Sequence, residues 1–154
     1  MDIEQKVNAY KRRFGCPEGL SLRALYDIAR ELDIVFHHGD FHELKGAYYY
    51  FERTKHIILD DKLSEIEEAF VLSHELGHAV LHRTESCFFN RWYAQAHKPR
   101  LEMEADKFSA LALLPDAIPL DELCYYTLEQ LAAIYYVPPE LMRIKLNLLG
   151  IRSS

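Results

Sequence analysis

The stretch FVLSHELGHAVLH, residues 70–82, sets His74, His78 and His82 four residues apart and follows the first with Glu75. On an α-helix, residues four apart share a face one turn up, so His74 and His78 can aim ring nitrogens at one point. Two imidazoles are half of a tetrahedral zinc site. Glu75 is rotated about 100° around the axis, so it flanks the metal instead of binding it and suits a general base toward water. The pattern H-E-x-x-H marks metal-dependent peptide hydrolysis with moderate specificity, and a catalytic zinc needs a third protein ligand.

His82 is on the same face, but about 12 Å along the axis from His74. It therefore reads as a helix-terminal residue or a neighbour of the ligands. The extended motif with a third histidine needs glycine at 81 and histidine at 84, where Leu81 and Thr84 stand. The carboxylates of LEMEAD remain. Glu102 and Asp106 are four apart and share a face, while Glu104 points elsewhere. Glu102 is taken as the third ligand. Asp106 can accept a hydrogen bond from the outward nitrogen of a liganding histidine, fixing its tautomer. Gly77, inside the helix, costs about 1 kcal/mol against alanine, which the close approach of another backbone would explain.

These residues need two helices in contact. Ser64 and Glu67 form a capping box for a helix over 65–83, and RLEMEADKFSALALLP reads as a second long helix stopped by Pro115. Upstream, helices are expected over 2–14 and, capped by Ser21, to about Asp33. IVFHH, LKGAYYYF and KHIIL read as three short strands, the last two joined by the polar turn ERTK. Thr127 and Gln130 cap a helix to about Tyr136, and Pro139 opens a last one before Gly150. The predicted class is α+β, with a small antiparallel sheet of about three strands packed on the two ligand-bearing helices. The 154 residues are expected to form one domain, with the helix pair 127–149 as a possible helical subdomain.

A formal charge of −6 argues against a surface built to hold phosphate backbones. The acids and bases of the N-terminus and the absence of a span of about 18 apolar residues predict a cytoplasmic protein without a membrane segment. Cys16, Cys87 and Cys124 match neither a disulfide framework nor a zinc knuckle.

HELGHAVLH followed by EMEADKFSALALLP resembles the ImmA/IrrE family of zinc-dependent peptidases. The strand pair GAYYYFERTKHIIL and the later TLEQLAAIYYVPPELMRIKL extend that resemblance over roughly residues 20–148. Ser109 stands where members usually show alanine. The resemblance implies a zincin-like helix, a site similar to that of thermolysin-like peptidases, and a protein substrate. For members encoded by phages and mobile elements that substrate is typically a cognate repressor.

On this reading zinc held by His74, His78 and Glu102 serves Glu75 as base. An extended substrate adds to an exposed edge at AYYYF, with Tyr48, Tyr49 and Tyr50 as binding residues. Phe88, Phe89, Trp92 and Tyr93 are candidates for a lid or pocket wall, and His97 for stabilising the oxyanion. Two rivals stand beside it. TLEQLAAIYYVPPELMRIKL resembles a helix-turn-helix, although from Thr127 to Ser154 Arg143, Lys145 and Arg152 barely outnumber Glu129 and Glu140, so nucleic acid is not the expected partner. A metal sensor that cleaves nothing could share the ligands, but it leaves Glu75 without a role.

Overall fold

A computed structural model of the chain describes residues 1–89 and 99–152, the side chains of 87–89 excepted. The order is α1 (Ile3–Phe14), α2 (Leu22–Glu31), β1 (Ile34–Gly39), β2 (Gly46–Phe51), β3 (Thr54–Asp60), α3 (Glu65–Leu81), β4 (Cys87–Phe89), α4 (Pro99–Leu113), α5 (Leu120–Tyr125), α6 (Leu128–Ile134) and α7 (Pro139–Leu148). The expected class, α+β, holds.

Helix starts follow the caps legible in the sequence. Ser64 accepts from the Glu67 amide while the Glu67 side chain returns to the Ser64 amide, and Thr127 with Gln130 does the same for α6. Ser21 caps α2, and Pro139 occupies the first turn of α7.

The sheet corrects the expectation of three antiparallel strands. Its order is β1-β3-β2-β4, with β1 parallel to β3 and both other pairs antiparallel. Residues 40–45 carry the chain from β1 across two strand spacings of about 4.8 Å each to β2. The hairpin then folds β3 back into the slot between them, so β3 runs with β1. The hairpin turn is only Glu52 and Arg53, both with positive φ (50° and 61°), the mirror-image geometry that suits a twisted ribbon. β4 pairs with Gly46–Tyr48. The lid candidates Trp92 and Tyr93, together with His97, lie outside the described residues, as do the side chains of Phe88 and Phe89.

α3 lies at the centre: every residue from Val71 to Ala79 is buried. One apolar cluster joins α1, α2, the sheet and α3 through Leu25, Ile28, Tyr48, Ile57, Leu72 and Leu76. A second joins the end of α4 to α6 and α7 through Leu114, Leu131, Leu141 and Met142, and Phe70 and Leu113 pack against both.

The C-terminal end of α4 is anchored from a distance. The buried Lys11 ammonium donates to the Leu114 carbonyl at 2.6 Å and pairs with Asp116 at 3.1 Å, while the Leu20 amide donates to the Ala112 carbonyl at 2.7 Å. Both satisfy carbonyls that a helix end leaves open. Among the described residues no helix is long and apolar enough to cross a membrane.

Candidate metal centre

α3 and α4 meet where glycine permits it. A Cβ at Gly77 would lie 3.1 Å from the Ala105 Cα, 3.2 Å from the Phe108 Cβ and 3.3 Å from the Ala105 carbonyl oxygen. This is the close backbone approach anticipated from the glycine alone. Nearby, the Ser73 and Ser109 hydroxyls pair across the same seam, which gives the serine at 109 a partner that alanine would lack. Gly77→Ala would gain helix propensity but overpack the seam, a net loss of about 1–2 kcal/mol. We expect a melting temperature several degrees lower and weaker metal retention, because α4 carries Glu102, the third candidate ligand. A melt at or above the parent's would show that the seam can give.

Across that contact His74 Nε2 lies 2.9 Å from one Glu102 oxygen and His78 Nε2 lies 3.1 Å from the other. Among the described residues, His74, His78 and Glu102 form the one group of three or more potential ligands whose atoms all lie within 4.8 Å of one another. Ligand atoms on one tetrahedral ion with bonds of about 2.0–2.1 Å stand about 3.3 Å apart, so the trio is close to a preformed set. Buried polar atoms give an independent sign of fit. His78 Nε2 and both Glu75 carboxylate oxygens are buried with no hydrogen-bond partner among the described residues, and the 3.1 Å His78–Glu102 contact lacks hydrogen-bond alignment. Buried groups of this kind normally find partners. A cation between the imidazoles would supply one to His78 and a compensating charge to Glu75.

Electrostatics agree. Burial pushes the Glu75 carboxyl up to about 8; the His74 charge opposes this, while Glu102 and Asp106 add to it. Burial disfavours a charged His74, yet hydrogen bonds to Asp106 and Glu102 and the nearby Glu75 outweigh it and raise its pKa to about 10. Burial raises Glu102, but the two imidazoles against its oxygens pull it down to about 2. Burial lowers His78. His74 thus sits between the Asp106 and Glu102 carboxylates, which favour its charged form.

Asp106 Oδ1 sits 2.9 Å from His74 Nδ1, the position expected of it. Glu104 does point away from the trio, to His82 Nε2 at 2.7 Å, while His82 Nδ1 faces His78 Nδ1 at 3.2 Å. The His82–Glu104 pair was not foreseen, since neither residue's helical phase reports its angle to the other helix.

Gly46 was missed as well. A Cβ there would fall 2.4 Å from the Val71 side chain and 3.5 Å from Glu75 Oε1, so its absence lets β2 lie directly against Glu75. Glycine opening a strand pattern was the available signal.

The tyrosines divide. β2 is an inner strand over Gly46–Tyr48, where β4 covers it, so it is no open edge there. Tyr48 is fully buried, with its hydroxyl donating to the Arg83 carbonyl. Tyr49 points to the opposite face, stacked on His56 at 4.5 Å. Tyr50 lies on the α3 side, half-buried. Of the three bases counted after Thr127, Lys145 is buried, leaving Arg143 in α7 and Arg152 beyond it exposed.

Comparison with known proteins agrees with this geometry. The family model of the IrrE N-terminal-like domain, a peptidase family, matches residues 29–147. The chain is 34% identical over 122 residues, 78% of this chain and 77% of the relative, to uncharacterized immunity region protein 2 of Bacillus phage phi105. It is 26% identical over 129 residues, 82% of this chain and 76% of the relative, to metallopeptidase ImmA of Bacillus subtilis strain 168. A metal-ready trio, a buried carboxylate beside it and a match over most of the length converge: the chain belongs to the ImmA/IrrE family of metallopeptidases.

Proposed function

We propose that the chain is a zinc-dependent endopeptidase of the cytoplasm that cleaves a protein substrate, a phage or mobile-element repressor. The observation that carries the catalytic part is Glu75, a fully buried carboxylate without a hydrogen-bond partner among the described residues, beside three convergent ligands. The donor set, two imidazoles and one carboxylate, suits Zn2+, held by His74, His78 and Glu102. When bound there, Zn2+ supplies Lewis acidity, polarising the scissile carbonyl and making water easier to deprotonate.

The chain's own residues handle the protons. Glu75 takes one from the attacking water and returns it to the leaving amine. A cation held by the trio would favour the ionised form of this buried carboxyl, the form that accepts the proton. Asp106 holds His74 by Nδ1, leaving Nε2 for the ligand role. Of the three tyrosines, Tyr50 is the one assigned to substrate contact. The repressor rests on the family resemblance and on the immunity-region name of the phage relative. Co-incubation with the repressor encoded beside this gene tests it: two fragments are expected, and an intact repressor with metal-loaded protein would remove that substrate.

Metal uptake should depend on pH. A liganding histidine must be deprotonated, and the metal-free site keeps the His74 proton up to about pH 10. Below that value zinc displaces the proton, so affinity is expected to fall about tenfold or more per pH unit on acidification through neutrality. Calorimetry in buffers of different ionisation enthalpy would count at least one proton released. Affinity independent of pH would remove the argument.

A further inference from the structure

We infer that Glu104, acting through His82, sets the proton on His78 and so leaves that ring's Nε2 bare for the metal; both are positioning residues that do not themselves touch the ion. The inference rests on the metal-site reading above and adds to it the outer half of one ligand.

The argument is one of donors and acceptors. The Glu104 carboxylate can only accept, so at 2.7 Å from His82 Nε2 it requires a hydrogen there. A neutral imidazole carries one N–H, so His82 Nδ1 is then an acceptor. Across the 3.2 Å contact between the two Nδ1 atoms, His78 must donate. Its own single hydrogen is thereby placed on Nδ1, and Nε2 keeps a lone pair. That nitrogen is buried without a hydrogen-bond partner among the described residues, and it faces Glu102 and His74.

Both ligands are thus oriented from α4: His74 by Asp106 directly, and His78 by Glu104 through an intervening ring. His82 is buried, which holds the relay in one geometry, while the Glu104 side chain is one-third exposed. Arg100 lies 4.0 Å from the other Glu104 oxygen.

The test uses the full chain and Zn2+ alone. His82→Phe keeps a ring of similar size without nitrogens and is expected to weaken zinc binding about 10–100-fold in a chelator competition. Glu104→Ala should fall in the same range, and Glu104→Gln, which keeps an acceptor, should recover most of that loss. The double variant His82→Phe with Glu104→Ala should bind no more weakly than His82→Phe alone, because one route is already broken. A merely structural role would give additive losses.

In the metal-free parent, 15N spectra of the His78 ring should show the proton on Nδ1, and His82→Phe should move population to Nε2. Parent-like zinc affinity in both single variants, or a His78 proton on Nε2 in the parent, overturns the relay while leaving the site intact. Failure of the parent to bind Zn2+ at all overturns the site and the relay together.

Discussion

Replacing Glu75 with glutamine is expected to leave the metal bound and slow peptide hydrolysis about 10²–10⁴-fold, the usual contribution of a positioned general acid–base. Glutamine has nearly the same volume, so the packing against Gly46 and Val71 survives. It also removes a buried carboxylate that has no hydrogen-bond partner among the described residues, so the fold should lose nothing and metal content should stay at the parent's level. What disappears is the ability to hold a proton between attack and departure. That loss corresponds to about 3–5 kcal/mol of barrier. Metal analysis beside a cleavage assay separates the two effects. A variant that retains metal and cuts as fast as the parent would show that the proton goes elsewhere.

The second large effect lies on α4. Glu102→Ala should weaken metal retention by more than about 100-fold, beyond the range typical of outer hydrogen-bond partners, whereas Glu104→Ala should stay within it. The ranking follows from position. The two Glu102 oxygens lie 2.9 Å and 3.1 Å from different histidines of the trio, while Glu104 reaches only His82. On the proposed ligand set, removing Glu102 deletes a ligand and leaves His74 and His78 facing a gap. Removing Glu104 leaves all three ligands in place. Equilibrium competition on both variants measures the order, and its reversal would make Glu104 the third ligand.

Much of this centre was legible in the sequence because helical geometry turns spacing into direction. His74 with His78, and Glu102 with Asp106, needed only the four-residue repeat and the caps that set their helices. Gly77 went further, announcing a contact between helices whose sequences lie apart. Properties that depend on two elements at once were not visible. Parallel pairing of β1 with β3 leaves no local trace, because each strand reads the same whichever way its neighbour runs. β4 is three residues long, too short for a period. The Glu52–Arg53 turn adopts left-handed φ without the glycine or asparagine that normally signals it. Glu104 was set aside as a ligand, but its partner across the seam, His82, could not be named.

The glycine contact between α3 and α4 makes the centre fail as a unit. One rigid helix presents Glu102, Glu104 and Asp106, and each meets an imidazole presented by the α3 segment. A sideways slip of even an ångström therefore disturbs all three at once. Inactivating lesions need not lie in the cleft: bulk inserted at the crossing, or a loosened anchor at Lys11, would silence the protein from a distance.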